Sequence, residues 1–176
     1  MTALEHQACL LLGSNILPEK NLTFGLNLLR NMVTIVRLSS VWETPSVGSS
    51  GPDFLNLAVL ITTSLKANEL KAHVLRPLEK KLGRVRSANK NAPRTFDVDI
   101  IFFDGLLLDQ KLWSYAHRAV PVAEILPDYR SGQGKLLKEV ARELTEINPI
   151  RLKRDVLVDS QILHQHTNGR SNAREF

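Results

Sequence analysis

The chain has 176 residues, 43% hydrophobic and 23% charged, the balance of one globular domain with a real core. Lys and Arg total 23 against 18 acidic residues, a net charge of +5 that suits an anionic partner such as a nucleotide, a nucleic acid or an acidic lipid. No apolar run approaches the ~20 residues of a membrane helix, MTALEHQ lacks the basic and apolar parts of a secretory signal, and the single cysteine, Cys9, fits a reducing compartment, so a cytoplasmic location is expected.

In chain order, Gln7 to Gly13 reads as a buried strand that ends at a glycine turn. Pro18 opens a helix, with Leu22, Leu26, Leu29 and Val33 at helical spacing. The β-branched stretch Val33 to Thr44 reads as one strand, Pro45 to Asp53 as a turn-rich loop, and FLNLAVLITTSL from Phe54 as the next strand. A second helix is expected over Ala67 to Leu82, with the stripe Leu70, Val74, Leu78, Leu82 and a stop at Gly83. Pro77 lies inside it and should kink or split it. The basic loop GRVRSANKNAPR follows, then a strand through PRTFDVDIIFF, a hairpin turn at Asp104-Gly105, and a third helix over Lys135 to Leu144. The order β-α-β-β-α-β is that of an α+β, ferredoxin-like fold: an antiparallel sheet with helices on one face, plus a C-terminal extension. Residues 1–158 read as a single domain and 159–176 as a polar, disordered tail.

Two carboxylates interrupt the apolar strand. Alternation puts Asp97 and Asp99 on one face with Thr95 and Ile101, about 6.6 Å apart along the strand, and Phe96, Val98, Ile100 and Phe102 on the other. Two carboxylates this close call for a positive group between them, either a hard metal ion or an arginine. Mg²⁺ suits the first choice, since it binds through one or two carboxylates plus substrate phosphates. A solvated surface pair is the plain alternative. Arg84, Arg86, Lys90 and Arg94 crowd just before the aspartates, and guanidinium forks match phosphate oxygens. That combination fits phosphoryl transfer, where catalysis is mostly positioning and charge neutralisation. No phosphate-cradling glycine loop, dinucleotide fingerprint or zinc spacing is present.

The segments LGSN (Leu12 to Asn15), ETPSVG (Glu43 to Gly48), PDFLN (Pro52 to Asn56), LGRVR (Leu82 to Arg86) and PRTFDVDI (Pro93 to Ile100) occur in that order. Together they resemble the 6-hydroxymethyl-7,8-dihydropterin pyrophosphokinase family over about residues 7 to 128. The resemblance implies a ferredoxin-like enzyme of folate biosynthesis that moves pyrophosphate from ATP to the pterin hydroxymethyl group, with two Mg²⁺ ions, and releases AMP. It implies Asp97 and Asp99 as metal ligands and Arg84 and Arg94 as phosphate-stabilising groups. It implies Glu79, Arg86, Lys90, Ile100 and His117 around ATP, and Thr44, Pro45, Val47, Phe54 and Asn56 around the pterin. Gly13, Ser14 and Asn15 would form the turn at the pocket floor. Its partners would be the two small-molecule substrates, with the product passed to dihydropteroate synthase and neither nucleic acid nor membrane bound. The chain departs from the family pattern at Asn91-Ala92, at Pro77, and after His117, where HRAVPVAEILPD leaves no place for a second pterin-stacking phenylalanine. Trp113 or Tyr115 would have to supply that face. The competing readings are a related transferase with another acceptor and a non-catalytic RNA-binding module, which would want exposed aromatics where this strand carries Asp97 and Asp99.

Overall fold

The run from His6 to Ser14 forms β1, buried on both faces from Ala8 onward, and this explains its lack of polar alternation. The structure is a computed structural model that describes residues 4–45, 51–85, 92–154 and 156. Around β1 the chain builds α1 (Pro18–Arg30), β2 (Thr34–Leu38), β3 (Trp42–Thr44), β4 (Phe54–Thr63), α2 (Ala67–Leu70), α3 (Arg76–Lys81), β5 (Asp97–Phe103), β6 (Leu106–Leu107), α4 (Ala116–Ile125), α5 (Leu137–Ile147) and β7 (Arg151–Leu152). The strands form one sheet in the order β6-β5-β1-β4-β3-β7, with β2 also on β4, and every pairing is antiparallel.

The single strand expected over Val33 to Thr44 is two pieces, both paired with β4. Between them Ser39 donates its N–H to the Ala58 carbonyl and accepts the Ala58 N–H on its hydroxyl, so the chain bends without losing contact with β4. The expected second helix is α2 and α3 joined by a π-helical turn over Lys71–Leu75. Pro77 has no N–H to give, and the wider turn, in which the Arg76 N–H reaches the Lys71 carbonyl, sits immediately before it. Leu70, Val74, Leu78 and Leu82 are all buried as the spacing predicts. The third helix starts two residues later than expected and runs to Ile147.

Two apolar layers sandwich the sheet. On one face α1 and the α2–α3 segment cover Leu10, Leu12, Leu57, Phe96 and Val98. On the other, α4 and α5 cover Cys9, Leu11, Ala58, Leu60, Ile101 and Phe102. The expectation of helices on one face therefore holds for the first two helical segments, and the extension supplies a second layer. The helix α4 was missed at the sequence level because Pro121 lies inside it and its neighbours show no polar face. Cys9 is fully buried, and burial pushes its thiol up to about 12, so it is an inert core residue. Each fully buried leucine of these layers contributes about 1.5–3 kcal/mol.

β5 departs from simple alternation. Cys9 pairs with Phe102 but Leu10 pairs with Ile100, so Ile101 is an extra residue, a β-bulge. Asp97, Asp99 and Ile101 share a face as expected. Phe102 does not join Phe96, Val98 and Ile100: the bulge turns it onto the aspartate side, where it meets the edge of the Tyr129 ring at 4.4 Å between centroids. Among the described residues no helix is long and apolar enough to cross a membrane.

Candidate functional site

The register across the middle of the sheet lines up the polar groups. Asn56 on β4 faces Gly13 on β1, and Gly13 faces Asp97 on β5. Directly opposed residues share a face, so Asn56 and Asp97 stand on the same side, two strand spacings or about 10 Å apart. The residue between them has no side chain. A Cβ on Gly13 would lie 3.2 Å from the Asn56 amide oxygen, so the glycine leaves the sheet bare between the two. Thr44 and Phe54 oppose each other one step along. The buried Asn56 amide donates to the Thr44 hydroxyl at 2.9 Å, which fixes its orientation. Thr44, Phe54 and Asn56 thus form one cluster beside Pro45. Val47 lies outside the described residues.

On the other side of Gly13 a cavity of about 790 Å³ opens over the aspartates. Arg84, Arg94, Asp97, Asp99, Ile100 and His117 line it together with Glu79, so seven of the expected residues converge. Arg86 and Lys90 lie outside the described residues, as do Asn91 and the proposed tail.

Local structure explains the placement of each arginine. The helix α3 ends with Gly83 at φ 76°; its N–H bonds the Lys80 carbonyl and the next N–H, of Arg84, bonds the Glu79 carbonyl. This left-handed turn swings Arg84 back over its own helix. Its Nη1 lies 3.1 Å from the Glu79 carboxylate and against Asp97 Oδ1. Glu79 is almost fully buried and also accepts the Val98 N–H at 3.2 Å, so it anchors both Arg84 and β5. Arg94 comes from the loop before β5, which the turn after β1 clamps. Asn15 Oδ1 accepts the Arg94 N–H at 2.6 Å, the Asn15 N–H donates to the Arg94 carbonyl at 3.0 Å, and the Ser14 hydroxyl donates to the Thr95 carbonyl at 2.6 Å. Ser14 and Asn15 are thus the lock on the arginine loop. From there Arg94 Nη1 reaches Asp97 Oδ2 at 2.6 Å.

Among the described residues, the positive groups paired with Asp97 and Asp99 are arginines. Asp97 holds Arg84 and Arg94, and Asp99 holds Arg118 at 3.0 Å. Arg118 also pairs with Asp109. His117 sits next to this pair; burial, with Arg118 adding to it and Asp99 and Asp109 opposing, holds its imidazole down at about 4, so it is neutral at pH 7. No group of three or more Asp, Glu, His or Cys is placed to hold a metal ion by itself among the described residues. The donor set is Asp97 and Asp99, two carboxylates open to one cavity. It fits a hard cation that keeps waters and completes its shell with phosphate oxygens, not one that needs an all-protein cage.

Several cavity residues escaped the sequence reading: Asp109, Lys111 and the polar end formed by Asn68, Lys71 and Arg76. Single polar residues in loops carry no spacing signal. Of the two aromatics considered for a stacking role, Trp113 packs on Tyr129 in the α4–α5 layer. Tyr115 lines the aspartate cavity, against His117 at 5.4 Å between ring centroids.

Comparison with known proteins gives a consistent picture. The family model of 7,8-dihydro-6-hydroxymethylpterin-pyrophosphokinase matches residues 9–127. A 2-amino-4-hydroxy-6-hydroxymethyldihydropteridine pyrophosphokinase from Synechocystis is 34% identical over 142 residues, covering 73% of this chain and 72% of that protein. The enzyme of the same name from Pseudomonas aeruginosa is 30% identical over 141 residues, covering 73% of this chain and 86% of its own length. Among solved structures, a Plasmodium falciparum HPPK-DHPS superposes with a TM-score of 0.63 at 11% identity, covering 82% of this chain. This chain spans 46% of that longer protein, and the likeness concerns the fold.

Proposed function

The chain belongs to the 7,8-dihydro-6-hydroxymethylpterin-pyrophosphokinase family and is an ATP-dependent pyrophosphokinase of folate biosynthesis; from that premise we propose how its residues divide the work. The hydroxymethyl oxygen of the pterin forms a bond to the β-phosphorus of ATP, the bond from that phosphorus to the oxygen bridging the α-phosphorus breaks, AMP leaves with that oxygen, and the hydroxyl proton goes to solvent. The observation that carries the assignment is the row Asn56–Gly13–Asp97, which sets an amide cluster and a carboxylate-arginine cluster on one face with a bare strip between.

Asn56, oriented by Thr44, offers the amide donor and acceptor that a pterin ring requires, and Phe54 offers a ring face. Pro45 and Val47 belong to the adjoining loop and are assigned to the same pocket. Asp97 and Asp99 would hold the metal, two Mg²⁺ ions on this reading. Bound there, Mg²⁺ would neutralise phosphate charge and align the displacement. Arg84 and Arg94 leave Asp97 for phosphate oxygens, with Glu79 keeping Arg84 at the site. Arg86 and Lys90 are assigned to the same phosphates. Ile100 lines the base end, and the neutral His117 imidazole can donate one hydrogen bond to the triphosphate. The sheet order β5-β1-β4, flanked by β2 on β4, supports reading the topology as ferredoxin-like. Passage of the product to dihydropteroate synthase is proposed by analogy with a relative named as a folate synthesis bifunctional protein. Neither a changed acceptor nor RNA binding gains support from the comparisons.

The test is release of AMP from ATP and Mg²⁺ with and without 6-hydroxymethyl-7,8-dihydropterin. AMP that appears only with the pterin, and is lost in Asp97→Ala, is expected. Pterin-independent AMP, or an Asp97→Ala variant that keeps substantial activity in metal-defined buffer, would refute the assignment.

A further inference from the structure

Arg118 is held at both ends of its fork. Nη2 lies 3.0 Å from Asp99 Oδ2, and Nη1 bonds Asp109 Oδ2. The two carboxylates differ in what fixes them. Asp109 is anchored: its other oxygen accepts the Lys111 N–H at 3.1 Å and caps the short 3₁₀ turn Gln110–Trp113. Its side chain is 20% exposed, against 42% for Asp99. Arg118 itself is 13% exposed and stands in the first turn of α4, its N–H on the Tyr115 carbonyl. All three line the cavity of the site.

A dication on Asp99 and a guanidinium on the same carboxylate repel each other. With Asp99 as its sole partner, Arg118 would either compete with the metal or be driven out to solvent. Asp109 offers a third course. We propose that Asp109 is a positioning residue for phosphate binding: it keeps Arg118 in the cavity when Asp99 engages Mg²⁺, so that one arm of the fork passes from Asp99 to a phosphate oxygen while the other stays fixed. The proposal rests on the reading of Asp99 as a metal ligand. The planar fork suits this exchange, because two N–H directions serve two acceptors at once.

The experiment is calorimetric titration of the full chain with α,β-methylene-ATP, an analogue that cannot release AMP, over a range of Mg²⁺ concentrations. In Asp109→Asn, which keeps an oxygen for the Lys111 N–H, Arg118 clings to Asp99. The Mg²⁺ midpoint should rise about three- to tenfold, and analogue affinity at saturating Mg²⁺ should fall by a similar factor. In Arg118→Met the midpoint should fall or stay, while saturating affinity drops about tenfold. The double variant should match Arg118→Met alone, since Asp109 acts through Arg118. Arg118→Lys, which cannot span both carboxylates, provides a second route to the loss seen in Asp109→Asn. Midpoints unmoved in Asp109→Asn, or a shift that persists undiminished in the Arg118→Met background, would overturn the proposal and leave the metal reading intact. Wild-type binding that ignores Mg²⁺ would overturn the metal reading itself, and the proposal with it.

Discussion

Gly25 stands inside α1, where alanine would ordinarily strengthen a helix by about 1 kcal/mol. The packing reverses the sign. A Cβ on Gly25 would lie 2.3 Å from Cε2 and 2.4 Å from Cζ of Phe96, more than ~1 Å inside ordinary carbon contact at ~3.5 Å. Phe96 is fully buried and directly precedes Asp97, so its ring cannot withdraw without moving the start of β5. Overpacking costs about 1–3 kcal/mol, and overlap with two ring carbons puts this case at the upper end. After subtracting the helix gain, Gly25→Ala should lose about 2 kcal/mol, a fall in Tm of about 4–8 °C for a chain of this size. Urea unfolding of Gly25→Ala, Phe96→Leu and the double variant measures it. Phe96→Leu removes the ring atoms that the new methyl would strike, so Gly25→Ala should be neutral or stabilising in that background, a coupling of about 2–3 kcal/mol. A Gly25→Ala variant as stable as wild type, or one whose loss is the same in both backgrounds, would refute the reasoning.

The remaining expectations concern the site. His117 titrates at about 4 in the folded protein against 6.5 in a free histidine, so the unfolded chain takes up the proton first. Its contribution to stability is present above pH 6.5 and is lost as pH falls toward 4, by at most about 3 kcal/mol. Urea midpoints across that window should fall less steeply in His117→Gln, and parallel slopes would show that the imidazole is not responsible. Gly13→Ala crowds the Asn56 amide oxygen, so KM for the pterin should rise about tenfold with little change in KM for ATP; equal effects on both substrates would count against the pterin pocket. Asn15→Ala removes the acceptor of the Arg94 N–H in a buried setting, which should cost about 1–3 kcal/mol and lower kcat more than it raises either KM. Unchanged kcat in a destabilised variant would mean that the clamp serves the fold alone.

Local patterns carried much of the sequence reading. The stripe on α2–α3, the Gly83 stop and the Asp104-Gly105 turn, with φ of 47° and 80°, depend on neighbours in the chain. Arg84, Arg94, Asp97 and Asp99, which line one cavity with His117, were legible from the crowding of charge before and within β5, and His117 only from the family resemblance. What stayed hidden was non-local. The bulge at Ile101 exists only as a register between β1 and β5. The bond from Arg118 to Asp109 joins a helix to a loop through side chains alone. Gly25 looks like a weak point of a helix until Phe96 is seen against it. Arginines lie on both aspartates, and a bound cation would take over some of those carboxylate contacts.

The extra residue in β5 also governs how that strand tolerates change. Before Ile101 the odd-numbered positions, Asp97 and Asp99, take the face of Gly13 and Leu11, and the even-numbered ones, Val98 and Ile100, pack into the α1 layer while also lining part of the cavity. After it the parity inverts: Phe102 takes the aspartate side and Phe103 packs toward α1. A saturation scan of β5 should therefore show a chemistry-limited rhythm in its first half and a packing-limited rhythm of opposite phase in its second. Deleting Ile101 would leave Ile100 and Phe102 adjacent, opposite the adjacent pair Leu10 and Cys9, and so restore a regular ladder in which both halves keep their layers.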